Sequence, residues 1–570
     1  MTVATTIDIT LPNYGTIRGS VDTQRQVAIF RNVPYAHAPV RWRVAVKPQP
    51  WTGVRDATIQ GPSCPQGPTV YPLGKIVPES MLQVGTHPTY PFGVEHSEVD
   101  GLNLNIFVPL SALKDGAEPV PVMTWIHGGA LRNGANCVPL YDARNLVEHS
   151  IKLNQPVIVV AVNYRLAAYG FMASKELQQD MEHYASTSST PVSLYEQSVG
   201  NWGLQDQKLA FEWVRENIAA LGGNNRNVTA WGESAGSLSL HYHMLIPAHR
   251  GLFDHAIMQS GVVGTMAAGV VEQDGQPLFD RLVEILGIPK DLDGVEKVRR
   301  LREVPMDELT RASDLAGPGL NFVPYHDGGK MLPSNLPIQT WATQISSYDP
   351  SVKSIMLGTN KDEGTAFAAS FGDAKLATFP ELVKKFAPSP QLIPLFDSVY
   401  GVPQSDQDAS QILASVVGDL VFQYPVQQVA DTLLELKKSR GEDFRLERYH
   451  YDVALTKMEE IVPGLGAMHA GELPIIFGPP FSDTVLTESE LALSTEIQKR
   501  WIAFANQKPV TAECGGVADP EKDQAIVWTH DHRVEVGKGR RLSKEAVVFW
   551  ETIFNYKLQR VHAALARREN

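Results

Sequence analysis

The stretch Asn227-Val-Thr-Ala-Trp-Gly-Glu-Ser-Ala-Gly-Ser237 decides how this chain is read. A β-branched strand stops at Gly232-Glu-Ser-Ala-Gly236 and passes into an apolar helix. Gly-x-Ser-x-Gly in a strand–turn–helix setting marks a turn too tight for side chains beside the serine. Such a turn lifts the Ser234 hydroxyl out of the sheet, where a carbonyl group and a histidine can both reach it. Taken alone the pattern is weak, because Gly, Ser and Ala are common. The remainder of the chain has to supply its partners.

Upstream of the motif, Leu204 to Ala220 reads as an amphipathic helix ending at Gly222-Gly223, a glycine C-cap. Leu104-Asn-Ile-Phe-Val108, Pro121 to Ile126 and Pro156 to Val162 are short apolar runs bounded by turn signals, as central strands of a doubly covered sheet should be. His255-Ala-Ile-Met258, Ser354-Ile-Met-Leu357 and Phe444 to His450 continue the series downstream. Strands alternating with helices predict a large, mostly parallel sheet with right-handed crossovers. The first hundred residues differ: β-like pieces at Gly15–Gly19 and Val27–Phe30 lie among Pro34, Pro39, Pro48 and Pro50. Residues 61–101 read as a long loop, a lid or a disordered segment. Residues from about 370 to 440 read as a helical cap with proline breaks, and Ala546 to Arg568 as a final helix. The whole chain, 1–570, is expected to form one domain.

The bulk properties narrow the function. A chain of 570 residues, 43% hydrophobic and 20% charged, with mean hydropathy -0.15, can bury a large core. A net charge of -13 disfavours nucleic acid as a partner, which needs a basic patch. No apolar run reaches the length of a membrane span. The N-terminal segment has neither the basic nor the apolar region of a secretory signal. Cys64, Cys137 and Cys514 are scattered, with neither a disulfide framework nor metal-ligand spacing. A cytoplasmic, reducing location is expected, with no metal and no cofactor; oligomeric state is not legible.

A serine hydroxyl becomes a useful nucleophile when a base takes its proton and a carboxylate orients that base. Gly358-Thr-Asn-Lys-Asp-Glu-Gly-Thr365 follows a predicted strand directly and offers Asp362 and Glu363 as acids. Gly464-Leu-Gly-Ala-Met-His-Ala-Gly471 carries His469 in a glycine-flanked loop. Trp125-Ile-His-Gly-Gly-Ala130 closes a strand with small residues, a loop able to aim backbone N–H groups at a developing oxyanion.

At this point the chain resembles the type-B carboxylesterases, the family of cholinesterases, liver-type carboxylesterases and certain fungal lipases. The likeness runs from about Gly15 to Ala505. It includes Val33-Pro-Tyr-Ala36, Leu102-Asn-Leu-Asn105, Val162-Asn-Tyr-Arg-Leu166, Gly200-Asn-Trp-Gly-Leu-Gln-Asp206, Gly251-Leu-Phe253, Gln259-Ser-Gly261 and Trp501-Ile-Ala-Phe504. The resemblance implies an α/β-hydrolase fold that hydrolyses small-molecule carboxylic esters through an acyl-enzyme. It implies Ser234 as nucleophile, Glu363 rather than Asp362 as triad acid and His469 as general base. It further implies Gly129, Ala130 and Ala235 as oxyanion donors, with Ser260 as a supporting hydroxyl. Two other readings stand beside it: a lipase whose 61–101 loop acts as a lid over acylglycerols or sterol esters, and, remotely, a non-catalytic cholinesterase-like binding protein.

The chain departs from the family in three places. A third glycine and an aromatic are replaced by Ala130-Leu131. The family's partner for Cys64 is replaced by Gly101, so that disulfide cannot form; this also leaves open whether the family's ion pair from that stretch to an arginine near Arg43 survives. Val262 to Gly269 lacks the bulky aromatic wall of cholinesterases, which argues against choline esters as the dedicated substrate. Other candidates have plainer readings: Cys137 as a buried inert thiol, His241, His243 and His255 as structural histidines, and Asn227-Val-Thr229 as strand rather than a glycosylation site.

Overall fold

Apolar runs without alternation must be covered on both faces, and these runs form the middle of one sheet. The computed structural model describes residues 5–67, 93–317, 321–333, 337–479, 485–508, 518–539 and 541–566. Its strands are β1 Thr6–Leu11, β2 Gly15–Asp22, β3 Val27–Pro34, β4 Val54–Asp56, β5 Asn103–Pro109, β6 Val120–Ile126 and β7 Ile158–Val162. They continue with β8 Gly223–Glu233, β9 His255–Gln259, β10 Ser354–Asn360, β11 Arg445–Tyr451, β12 Gln524–Trp528 and β13 Val534–Lys538. The spatial order is β1-β2-β3-β5-β7-β6-β8-β9-β10-β11-β12-β13, with β4 beside β2. From β7 to β12 every neighbouring pair is parallel, while the two margins are antiparallel apart from β4, which runs parallel to β2. Every residue of β5, β7, β9 and β10 is buried, whereas the edge strand β1 alternates. Each strand expected from the sequence is present; β1, β4, β12 and β13 were not anticipated.

Period-two alternation sends successive side chains to opposite layers. Val228 and Ala230 of β8 and Val122 and Ile126 of β6 enter one core, with Phe211 and Leu240 of the helices Trp202–Asn217 and Ala235–Leu245. Trp231, Met123 and Trp125 enter the other, with Trp501 of the helix Glu488–Ala505. The first of these helices runs into a 3-10 turn, Ile218–Leu221, stopped by Gly222 at φ 78, the left-handed cap expected there.

Two family motifs find their reason here. Arg165 donates through Nε and Nη2 to the two carboxylate oxygens of Asp206, both at 2.7 Å and both buried. The expected helical region holds Phe379–Phe386, Ile393–Tyr400, Asp406–Gly418 and Tyr424–Arg440. Pro388 and Pro403 lie between helices, as expected, while Pro380 and Pro394 start helices, since the first turn has no N–H bond to lose. These helices and the C-terminal helix Lys544–Ala566 share a third apolar core.

Gly101 lies where the missing disulfide partner would sit. A Cβ built there would fall 3.1 Å from the Cys64 backbone, and Cys64 is a free, buried thiol. That stretch does make an ion pair with an arginine close to Arg43: Arg41 grips both carboxylate oxygens of Glu98 at 2.5 Å. The loop at 61–101 falls largely on residues 68–92, outside the described residues, as does Cys514.

Candidate active site

Parallel strands in register bring their carboxyl ends to one edge, and the candidate residues leave from those ends. Ile126 pairs with Gly232, Glu233 with Gln259, and Gln259 with Gly358. Thus the loops after β6, β8, β9 and β10 all emerge together.

At the end of β8, Ser234 has φ 55 and ψ -122, a conformation costing an L-residue on the order of 1–3 kcal/mol. Three glycines permit it. A Cβ on Gly236 would lie 1.9 Å from the Ile126 carbonyl oxygen, one on Gly261 would lie 2.2 Å from that of Ser234, and one on Gly232 would lie 2.7 Å from the Gly236 carbonyl carbon. The Ser234 N–H donates to the Gln259 carbonyl at 2.8 Å, tying the elbow to the next strand. Ala235 begins the following helix, so its N–H has no partner within that helix.

The β6 loop lies against the elbow: a Cβ on Gly128 would be 3.0 Å from Ser234 Cβ. Gly129, Ala130 and Leu131 have φ of 105, 55 and 57. The third position therefore takes the left-handed backbone that favours glycine, and Ala130 holds it with strain. Leu131 is buried in the core. The loop is tied down where the Leu131 carbonyl accepts from the Ala167 N–H at 2.8 Å and the Gly129 carbonyl from the Arg132 N–H at 3.0 Å. Ser260 also takes a positive φ, 51, and its hydroxyl is buried without a hydrogen-bond partner among the described residues.

The two acids that the sequence left open separate cleanly. Glu363 Oε2 meets His469 Nδ1 at 2.6 Å, while its Oε1 accepts from the Asn360 N–H at 2.8 Å. Asp362 instead accepts from the Ala467 N–H at 2.9 Å, bracing the loop that carries the histidine. Ser234, Glu363 and His469 are thus gathered at one end of the sheet, with Glu363 and His469 buried.

The structure adds residues that the sequence reading missed. His469 Nε2 lies 3.0 Å from Glu233 Oε1, so the imidazole sits between two carboxylates. Burial by itself disfavours its charge, yet Glu233 and Glu363 overcome burial and push His469 up to about 10, well above an ordinary histidine. Burial likewise raises the Glu233 carboxyl against the pull of His469. Glu472 is pushed up to about 7 by burial and by the charge of Glu233. It is held by the Gln259 amide at 2.8 Å and the Asn360 amide at 2.5 Å. Phe422 and Phe367 lie against the imidazole, with ring centroids at 4.3 and 5.1 Å. Glu233 stood inside the opening motif, and its place next to the serine was the available signal. For Glu472 and Phe422 the sequence carries none.

The remaining candidates are structural. His241 meets Tyr348 Oη at 2.9 Å, and His255 meets Ser354 Oγ at 2.8 Å. His243 and His249 face each other Nδ1 to Nδ1 at 2.7 Å. Burial holds His241, His243 and His255 far below the usual histidine value. Cys137 is buried and its thiol is pushed up to about 12, an unreactive state. Among the described residues, no group of three or more His, Cys, Asp or Glu side chains is arranged to hold a metal ion, and no helix is long and apolar enough to cross a membrane.

A mixed sheet with a parallel centre, a strained serine elbow on a central strand and an acid–imidazole pair on later loops define an α/β-hydrolase. Comparison with known proteins agrees: the carboxylesterase family profile matches residues 4–533. The chain belongs to the carboxylesterase family, and it is a carboxylic ester hydrolase. It is 31% identical to a para-nitrobenzyl esterase of Bacillus subtilis, over 88% of this chain and 90% of that one. It is 27% identical to an acylcarnitine hydrolase of Mus musculus, over 96% and 92%. With a liver carboxylesterase of Sus scrofa it shares 29% identity, over 93% and 89%.

Proposed function

We propose that the ester is cleaved through an acyl-enzyme, with Ser234 as nucleophile, His469 as general base and Glu363 as the acid that fixes the imidazole. The observation that carries this reading is the 2.6 Å contact of His469 Nδ1 with Glu363 at the strand ends beside the Ser234 elbow. As Ser234 Oγ bonds to the ester carbonyl carbon, its proton passes to His469 Nε2. The carbonyl oxygen becomes an oxyanion, for which the Gly129, Ala130 and Ala235 N–H groups are the donors. Collapse expels the alkoxide, which takes the proton from His469 and leaves as the alcohol. Water then repeats the sequence on the acyl-serine and releases the carboxylic acid. Ser260 supports the site through its buried hydroxyl.

For Nε2 to accept from Ser234 it must give up or share its contact with Glu233, and this contact governs the fraction of active base. Relatives that carry the names para-nitrobenzyl esterase, acylcarnitine hydrolase and liver carboxylesterase support small esters as the substrate class. A reducing, cytoplasmic location goes with this reading, supported by Gly101 opposite Cys64. The test is Ser234→Ala: turnover of a p-nitrophenyl ester is abolished while the circular dichroism spectrum is unchanged. Activity retained by that variant would sink the mechanism.

A further inference from the structure

The residues that touch His469 from its apolar side lead outward to the end of the chain. Phe422 lies in a π-helical turn, Asp419–Gln423, between the helices Asp406–Gly418 and Tyr424–Arg440. A π turn inserts an extra residue and re-aims the side chains around it. Here the re-aimed side chain is the ring lying 4.3 Å from the imidazole centroid. Phe367 completes the wall, 5.7 Å from Phe422.

Both ends of that turn are pinned. At its last residue, the Gln423 amide donates to the Asn360 carbonyl at 2.7 Å, and its Oε1 accepts from the Thr359 hydroxyl at 2.9 Å. This fixes the turn to the end of β10, three residues before Glu363. At its first residue, Asp419 Oδ2 accepts from the Tyr400 hydroxyl at 2.9 Å. Tyr400 Oη in turn accepts from Trp550 Nε1, 2.7 Å away in the helix Lys544–Ala566. Trp550 and Phe549 are fully buried, and Asp419 is 4% exposed. That helix lies beyond residues 4–533, the part matched by the family profile.

We propose that the C-terminal helix is a positioning element for the base: Trp550, Tyr400 and Asp419 set the π turn that presses Phe422 against His469. The proposal rests on His469 being the base. A core of Phe379, Phe386, Phe396, Phe549 and Ile553 already packs this helix. A polar chain running through such a core adds direction, because each hydrogen bond has one satisfactory geometry and an unmet buried donor is costly. The direction it fixes is that of Phe422. That ring keeps water from one side of an imidazole held between two carboxylates, and holds the imidazole at its working angle. Tyr400, Asp419 and Trp550 are positioning residues; the reacting atoms stay with Ser234, His469 and the ester.

The test uses the full chain with p-nitrophenyl butyrate, comparing wild type with Tyr400→Phe, Trp550→Phe, Phe422→Leu and the double variant Tyr400→Phe/Phe422→Leu. Val548→Ser, on the exposed face of the same helix, is the control. Tyr400→Phe removes one polar atom and keeps the volume, so it is the decisive variant; Trp550→Phe also loses part of a buried ring, and folding of both is checked by thermal melting. Each is expected to lower kcat about tenfold with KM within about twofold, as a misplaced catalytic group does. The acid limb of the pH profile moves as well, and sulfonylation of Ser234 by phenylmethylsulfonyl fluoride slows in parallel. Phe422→Leu gives at least the same loss, and the double variant is no worse than Phe422→Leu. The control keeps wild-type rates. A folded Tyr400→Phe with unchanged kcat and pH profile overturns the proposal, as does a double variant whose losses multiply. An active wild type with an inactive Ser234→Ala beside that result leaves the proposed mechanism standing. Turnover that survives Ser234→Ala overturns both.

Discussion

The contact of His469 with Glu233 makes a quantitative prediction for Glu233→Gln. The substitution keeps the volume of a side chain packed so closely that a Cβ on Gly128 would fall 2.6 Å from Glu233 Oε2, and removes its charge. With Nε2 3.0 Å from Glu233 Oε1 and Nδ1 2.6 Å from Glu363 Oε2, the imidazolium is stabilised from two sides. A unit charge about 4 Å away at an effective dielectric of about 20 is worth about 4 kcal/mol. At about 1.4 kcal/mol per pKa unit, that sets a ceiling of about 3 units. Burial opposes the charged forms of both partners, so less than the ceiling is realised and a shift of about 1–2 units is expected. The sign is fixed: losing an anion destabilises the imidazolium, lowers the His469 pKa and leaves more neutral base at low pH. The acid limb of kcat/KM, expected in the wild type above the ordinary histidine value of about 6.5, therefore moves to lower pH. The assay is kcat/KM for a p-nitrophenyl ester between about pH 5 and 10, corrected for background hydrolysis. An acid limb that stays in place, or moves to higher pH, would refute the reasoning.

Further outcomes follow from the same geometry. His243 is buried and held down to about 3, against about 6.5 when unfolded; below that value the unfolded chain binds the extra proton, so stability falls with pH. Between pH 7 and 5 this histidine alone costs about 2 kcal/mol, to be read from urea midpoints, and His243→Gln should flatten that slope. Arg165→Met strands the buried Asp206 carboxylate and should destabilise the fold by about 3–5 kcal/mol in denaturant unfolding. Gly261→Ala pushes a methyl to 2.2 Å from the Ser234 carbonyl oxygen; distortion of the elbow should lower kcat at least about tenfold in protein that still shows a native circular dichroism spectrum.

Much of the fold was legible because burial on two faces leaves a local trace. Runs such as Pro156–Val162 and Ser354–Leu357 read as central strands without any neighbour being known. The margins were less legible: β12 and β13 are not buried along their whole length as β7 and β9 are, and a pairing like Ile526 with Val536 is decided by the partner rather than the segment. Prolines in 370–440 signalled breaks, which Pro388 and Pro403 provide, whereas Pro380 and Pro394 served as helix starts, since a proline at the first turn and one in the interior look alike in sequence.

The sequence by itself pointed to the elbow: Gly232 and Gly236 flank Ser234 in a strand–turn–helix setting, where a close approach of backbones explains the glycines; the part of Gly261 came from the structure. Turn contexts also nominated Ser234, His469 and the adjacent acids Asp362 and Glu363, with the family resemblance favouring Glu363. Choosing Glu363 over Asp362 on contact alone needed the tertiary structure, since adjacent side chains point to different partners, one to His469 and the other to the Ala467 N–H. The same holds for Glu233 and Glu472 around the imidazole, and for the path from Trp550 to Phe422. These are contacts between distant segments, such as the 150 positions separating Tyr400 from Trp550, and no local pattern records them. Packing brings such groups to hydrogen-bond distance, and at that distance their charges and donors set the protonation of the base.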